Sequence, residues 1–358
     1  MQSSICATRA TTRLCLRGTD LTVDIPISKS IANRLLILHA MRGDDLAGFP
    51  VDDGTPDDVR LLRNLLIRAD TTLDCRNCGT ALRFLTAYFA QKEGTEVVLD
   101  GSARMRQRPV GQLVNALREL GASIDCLGEE GFPPLRIRGR KLNDRHVRIN
   151  HPESTQFVSS LLLIGVDVVT DISSPYIDMT HSLLSEACLD MSIERDWSAA
   201  AFWYEYVALY GGSMLLRGLQ RDSIQGDRQV AEIFSRLGVE TGYEPAGAKI
   251  CRKSNAGCRV LSVDFTTCPD LYPAVYAACH RLGIEMQFTG LESLPLKESD
   301  RIVAMKQMSG AEHRDRLHSF ADHRIAMALL VAGCEVDDTD CISKSYPLFL
   351  GQWKALRS

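Results

Sequence analysis

No run of eighteen apolar residues occurs anywhere in the 358-residue chain, so no segment offers a helix long enough to cross a bilayer. An excess of positive charge is also missing. The 41 Lys and Arg face 45 Asp and Glu, a net charge of −4, and nucleic-acid binding is dominated by cations paired with phosphates. There is no phosphate-loop motif, and the one CxxC, Cys75 to Cys78, has neither a second pair nor a histidine pair at zinc spacing. The chain therefore carries no sequence signature of a membrane protein, a nucleic-acid binder or a zinc protein. Its twelve cysteines lie mostly in apolar stretches such as "VYAACH" and read as small buried hydrophobes of a reducing compartment. The first twenty residues are rich in Ser, Thr and Arg and faintly resemble a transit peptide. They lack the apolar core of a secretory signal and lead into strand-like "LTVDIPI", and the expectation is a cytoplasmic chain. What is present is an ordinary globular composition, 45% apolar and 24% charged, at a length suited to about two domains.

Internal repetition is the first positive signal. Three segments align on pairs of glycines twenty positions apart, Gly101 with Gly121, Gly218 with Gly238, and Gly290 with Gly310. Each reads as strand, polar loop, amphipathic helix, glycine cap and next strand. Between them lie helices with a polar mouth that are then apolar nearly all round, such as "SKSIANRLLILHA", "NCGTALRFLTAYFA" and "ADHRIAMALLVAG". A helix apolar on every face belongs inside a domain. Buried and amphipathic helices alternate six times, which predicts six strand–helix units arranged three per domain. The units are uneven: hairpins fit after the helices ending near Leu120 and Leu237, but hardly after those ending near Ile67, Leu189 and Met308.

Charge gathers at the mouths of the buried helices. Lys29 and Arg34 stand at the first, Arg83 at the second, Ser154, Thr155 and Gln156 at the third, Asp196 at the fourth, Asp270 at the fifth, and Asp322, His323 and Arg324 at the sixth. Arg104, Arg106 and Arg108 cluster in one glycine-repeat loop, Lys297, Glu298 and Arg301 in another, and Lys344 precedes the last helix. Any one of these is an ordinary N-cap or a solvated cation. A helix N-terminus presents unpaired N–H groups and a partial positive charge, however, and added cations strengthen it as an anion site. Recurrence of cations at several mouths in an acidic protein points to a polyanionic small-molecule site.

The strings "PISKSIANR", "NCGTALR", "GSARMRQRPVGQLVNALRELGA", "GFPPLRI", "STQF", "SPYIDMT", "LKESDRI", "ADHRIAM" and "SKSYP" resemble, in matching order from Ile25 to the C-terminus, the 5-enolpyruvylshikimate-3-phosphate synthase family. The resemblance implies an α/β fold, a two-domain inside-out α/β barrel of six strand–helix repeats around buried parallel helices. One domain would span residues 28–193 and the other residues 1–27 with 194–358, with the active site in the cleft between them. The implied reaction moves the enolpyruvyl group of phosphoenolpyruvate to the 5-hydroxyl of shikimate 3-phosphate, in aromatic amino acid biosynthesis, with no metal or organic cofactor. The expected partners are these two small molecules alone, with a monomeric chain.

Matched residue by residue, Lys29, Arg104, Gln156, Arg301, Arg324 and Lys344 resemble the phosphoenolpyruvate-binding set, with Asn77 and Gly79 beside it. Ser30, Arg34, Ser154, Thr155, Gln156, Ser173, Tyr176, Asp270 and Lys297 resemble the shikimate 3-phosphate set. The resemblance makes Asp270 the base facing the hydroxyl and Glu298 the acid that protonates the methylene, a role shared with Lys29, and it counts Lys344 among the catalytic residues. A raised pKa is expected for Glu298, crowded by substrate anions. Gly79 implies sensitivity to glyphosate. Phe84 stands where the family usually has proline, Cys78 where alanine is common, and Ser293 where asparagine often contacts phosphate. The sister transferase acting on a UDP-amino sugar would be expected to carry asparagine at Ser30 and a cysteine in the "RMRQRP" loop. A branch acting on RNA 3′-phosphates would need a nucleotide pocket and a nucleophilic histidine. A non-catalytic binding scaffold would have no need of Lys29, Asp270, Glu298 and Lys344.

Overall fold

A computed structural model describes residues 21–68, 70–185, 193–253, 257–311 and 314–357. The Ser/Thr/Arg-rich start, residues 1–20, lies outside the described residues. Buried and amphipathic helices alternate along the chain. They are α1 (Lys29–Arg42) and α2 (Asp57–Ile67), α3 (Gly79–Gln91) and α4 (Gly111–Glu119), α5 (Thr155–Leu163) and α6 (Pro175–Ser185), α7 (Trp197–Tyr210) and α8 (Val230–Arg236), α9 (Tyr272–Leu282) and α10 (Arg301–Lys306), α11 (His323–Val331) and α12 (Phe349–Arg357). The difference between the two types is physical. Every residue from Ile31 to His39 of α1 is buried, as is every residue from Trp197 to Glu205 of α7. In α2 burial is confined to Asp58, Val59, Leu62 and Leu65, one stripe at helical spacing. No described helix is long and apolar enough to cross a membrane.

The strands are β1 (Leu21–Asp24), β2 (Thr72–Asp74), β3 (Glu96–Asp100), β4 (Ser123–Cys126), β5 (Leu135–Arg138), β6 (His146–Ile149), β7 (Asp167–Thr170), β8 (Ser213–Arg217), β9 (Val239–Glu244), β10 (Gly247–Arg252), β11 (Val260–Asp264), β12 (Glu285–Thr289), β13 (Arg316–Leu317) and β14 (Glu335–Val336). In four units a buried helix connects two parallel strands: β2 and β3 around α3, β6 and β7 around α5, β11 and β12 around α9, and β13 and β14 around α11. The expected hairpins follow α4 and α8. They extend two sheets to four strands, in the orders β2-β3-β5-β4 and β1-β8-β10-β9. No hairpin follows α2 or α10 among the described residues. The helix expected to reach Leu189 is described to Ser185, and residues 186–192 lie outside the described residues. Gly121, Gly238 and Gly310, the second member of each aligned pair, all have positive φ, at 95°, 84° and 90°. Only glycine adopts that conformation cheaply, which explains the repeat spacing.

In the β1-β8-β10-β9 sheet, the strand parallel to β8 comes from the start of the chain. This exchange occurs where two segments cross. The Ser28 N–H donates to the Glu194 carbonyl at 2.7 Å, the Asp196 N–H donates to the Pro26 carbonyl at 2.9 Å, and Ile27 bridges Arg195. Two large apolar cores result. Val23, Ile25 and the chain from Trp197 onward form one, and Ile31 through Leu183 form most of the other. The apolar cluster changes between Ile25 and Ile31 because the intervening polar mouth, Ile27 to Ser30, sits at the crossing.

Candidate active site

Between the two cores lies a cleft of about 350 Å³, lined from one side by the mouths of α1, α3, α5 and α6 and from the other by those of α9, α10 and α11. Of the residues matched as substrate-binding or catalytic, fourteen line it: Lys29, Ser30, Arg34, Gly79, Ser154, Thr155, Gln156, Ser173, Tyr176, Asp270, Lys297, Glu298, Arg301 and Arg324. Asn77, Arg104 and Lys344 do not line it and instead tie its two walls together. Lys344 Nζ donates to the Asn77 carbonyl at 2.6 Å and pairs with Glu298 Oε1 at 2.8 Å. Arg104 reaches across to the carbonyls of Glu298 at 3.1 Å and Lys297 at 3.3 Å. These cations have taken protein acceptors, as buried charge must find compensation.

The acids sit among cations in a definite order. Asp270, at the start of the α9 unit, accepts from Arg301 Nη1 at 2.8 Å and from Arg324 Nη2 at 2.8 Å, with Lys297 Nζ at 3.8 Å. Burial works to raise its pKa, but Arg324, Lys297 and Arg301 outweigh it and hold the carboxyl well below its usual range. Arg301 also pairs with the fully buried Asp322, at 2.9 Å. Glu298 is likewise held by protein donors. Burial alone would raise its pKa, but Lys344 and the His323 Nδ1 at 2.9 Å, with Lys29 beyond, hold it well below the carboxylate range. Lys297 is pulled down to about 8, first by burial and then by Arg301 and Arg324, against the pull of Asp270.

Several neighbours were not legible in the sequence. Lys29 Nζ pairs at 3.0 Å with Asp58, from the buried stripe of α2. Asp227, in the loop before α8, is pushed up to about 7 by burial and by Asp270. It accepts from Ser198, and the Tyr176 hydroxyl lies 3.5 Å from it and 3.4 Å from Asp270. Arg34 is more a brace than an open ligand. Its guanidinium donates to Thr180 at 2.8 Å, to the Ser30 carbonyl at 2.8 Å, and to Ser159 and the Tyr176 carbonyl at 3.1 and 3.0 Å. Its Cζ sits 5.6 Å from the centre of the Phe84 ring. The residue that replaces proline thus packs in the core beneath an active-site cation. Gln156 is likewise engaged, accepting from Arg83 at 2.7 Å and donating to Thr80 at 2.8 Å. The Cys78 Sγ caps α3 by accepting from the Ala81 N–H at 3.4 Å.

Chemically, the cleft offers cations from both walls, a carboxylate held ionised, and a carboxylate bonded to an ammonium and an imidazole. That set suits a small molecule with several anionic groups. Comparison with known proteins agrees. A solved EPSP synthase from Acinetobacter baumannii has the same fold, with a TM-score of 0.66 at 20% identity, covering 94% of this chain and 96% of that one. The 3-phosphoshikimate 1-carboxyvinyltransferase of Bacteroides fragilis is 36% identical, covering 94% of each chain. That of Methanopyrus kandleri is 34% identical, covering 81% of this chain and 78% of its own. The Bacteroides alignment spans 395 positions against the 358 residues here, so it steps over positions that this chain lacks. A family model described as EPSP synthase (3-phosphoshikimate 1-carboxyvinyltransferase) matches residues 55–190 and 186–353, and on that match together with the near full-length relatives the chain belongs to the EPSP synthase family.

Proposed function

We infer that this chain transfers the enolpyruvyl group of phosphoenolpyruvate to the 5-hydroxyl of shikimate 3-phosphate and releases phosphate. The observation that carries the reading is the cleft itself: Lys29, Arg301, Arg324 and Lys297 converge on one cavity with Asp270 and Glu298 between them. The reaction requires a base for the attacking hydroxyl, an acid for the methylene, and cations for two phosphates and two carboxylates.

In this reading Asp270 accepts the hydroxyl proton. It is suited to that role because Arg301 and Arg324 keep it ionised and fix both of its oxygens. Oxygen attacks C2 of the enol while a proton reaches the methylene carbon, and the tetrahedral intermediate then loses phosphate and a methyl proton. Glu298 is ionised while Lys344 and His323 hold it. An incoming phosphate or carboxylate competes for Lys344, and each cation withdrawn raises the affinity of Glu298 for a proton. Substrate binding thereby creates the acid that the next step consumes. Lys29 and Lys344 balance the charge that develops on phosphate as it leaves.

The domain division proposed is residues 28–193 against residues 1–27 with 194–358. Its support is the pair of apolar cores and the crossing at Ile27 and Arg195. Both walls of the cleft come from one chain, so the reading takes the enzyme as a monomer, and it places this biosynthetic activity in the cytoplasm. Phosphate release from phosphoenolpyruvate, measured with and without shikimate 3-phosphate, tests the function. Release that depends on shikimate 3-phosphate and falls by about 10²-fold or more in Lys29→Met and Glu298→Gln is the expected result. A folded wild-type protein that releases no phosphate would refute it.

A further inference from the structure

The segment that carries Lys344 is fastened to both sides of the cleft. It runs from the short turn Asp340–Lys344 to the start of α12. Tyr346 fixes it to the core formed by the later part of the chain. The ring is fully buried, and the hydroxyl accepts from Trp203 Nε1 at 3.0 Å and meets the Asp24 carbonyl at 2.7 Å. Two other contacts reach the opposite side. The Ser343 hydroxyl donates to Asp57 Oδ2, in the first turn of α2. Leu348 lies over the loop before α2, where a Cβ added to Gly54 would meet its Cδ1 at 3.2 Å. Lys344 stands between these two attachments, with Nζ 2.6 Å from the Asn77 carbonyl and 2.8 Å from Glu298 Oε1. Neither Ser343 nor Asp57 lines the cleft. The Ser343 hydroxyl has a second acceptor within reach, the Asp340 carbonyl at 3.0 Å. A carboxylate is the stronger acceptor, and the Asp57 contact is the one that crosses from one core to the other. Asp58, the neighbour of Asp57, pairs with Lys29 Nζ at 3.0 Å. The first turn of α2 thus supports one lysine of the site directly and grips the residue beside the other.

We propose that Ser343 and Asp57 are positioning residues, whose hydrogen bond holds the Lys344 ammonium between Asn77 and Glu298. A lysine ammonium rides on a flexible stem. With its backbone attached to one side alone, it would follow Glu298 away from the Asn77 carbonyl. The inference rests on the enolpyruvyl-transfer reading and on the division into two domains. Ser343 is half-buried and Asp57 exposed, so breaking their bond strands no buried polar group and costs little stability. Its effect falls on the placement of Lys344.

Steady-state kinetics test this, with circular-dichroism melting to establish that each variant folds. Ser343→Ala and Asp57→Ala each lower kcat about fivefold, the effect of one hydrogen bond, while KM for shikimate 3-phosphate stays put. Ser343→Thr keeps the hydroxyl and stays within about twofold of wild type. Ser343→Ala combined with Asp57→Ala costs no more than either alone, because both remove the same bond. Wild-type kcat in Ser343→Ala, an equal loss in Ser343→Thr, or losses that multiply in the double variant overturns the proposal. Acetylation of Lys344 by acetic anhydride, read by peptide mass spectrometry without substrates, follows the ammonium independently of turnover. Labelling about fivefold faster in Ser343→Ala supports the proposal, and an unchanged rate overturns it. Absence of turnover in the wild type would instead count against the function, leaving the labelling to judge Ser343.

Discussion

Replacing Asp270 with Asn separates structural from chemical contributions at one atom. The Asp270 side chain is 17% exposed and lies between Arg301 and Arg324, each at 2.8 Å, with Lys297 at 3.8 Å. Arg301 keeps Asp322 in the variant. Asp270 is the carboxylate in the one ion pair described for Arg324 and in the one described for Lys297, so both lose it. Removing one partner from a buried ion pair costs about 3–5 kcal/mol. Asn keeps an oxygen that accepts from one guanidinium, which puts the expected loss near the lower end, about 3 kcal/mol. The sign with pH follows from a depressed carboxyl. Its stabilisation is fully present above the unfolded value of about 4, and it is lost as pH falls through the lower folded value. The contribution of the Asp270 carboxyl itself should therefore be flat from pH 5 to 8, and any slope of the stability gap there comes from Asp227 and Lys297, both of which Asp270 holds up. Turnover should fall about 10²- to 10⁴-fold with loss of the base, while KM for phosphoenolpyruvate stays level or falls, because the cleft has become more positive. Added phosphate should recover more stability in D270N than in wild type. Urea titration and phosphate-release kinetics measure these quantities. Wild-type stability at pH 7, or turnover within about threefold of wild type, would refute the argument.

Lys297 loses its proton around pH 8 in the free enzyme, so kcat/KM for shikimate 3-phosphate should decline as pH rises through that value. A pH profile flat to pH 9 would remove Lys297 from the binding set. Asp227 is raised to about 7, so the folded state holds a proton that the unfolded state gives up above about 4. Stability is therefore lost as pH rises between those values, and the Tm of Asp227→Asn minus that of wild type should widen from pH 5 to pH 8; a constant difference would contradict it. With glycine at 79, glyphosate should inhibit in competition with phosphoenolpyruvate, and inhibition that ignores phosphoenolpyruvate concentration would exclude that reading.

The alternation of α1 through α12 was legible because burial on all faces or on one stripe is written in local periodicity. The glycine pairs were legible because positive φ leaves few alternatives to glycine. Cations at helix mouths were visible one by one, and fourteen of the residues matched as substrate-binding or catalytic do line the cleft. The partners of those residues were not visible. Asp58 lies 29 positions from Lys29, and Asp270 lies 54 from Arg324. Arg104, Arg106 and Arg108 share one loop in the sequence, and only the fold separates the buried Arg108, which lines the cleft, from the exposed Arg106, which pairs with Asp100.

The sign of the Glu298 shift shows where the boundary falls. That a glutamate follows Lys297 in a loop at a helix mouth is a property of the sequence alone. So are the repeats, the uneven hairpins and the gathering of cations, because each depends on neighbours within a few residues. Whether Glu298 is held protonated or ionised depends on an ammonium and an imidazole at 2.8 and 2.9 Å, contributed by Lys344 and His323. Coulomb energy falls with distance through space and rises with burial. Neither distance nor burial is set until the chain has crossed between its two cores and closed the cleft, so tertiary structure alone decided the charge state of the site.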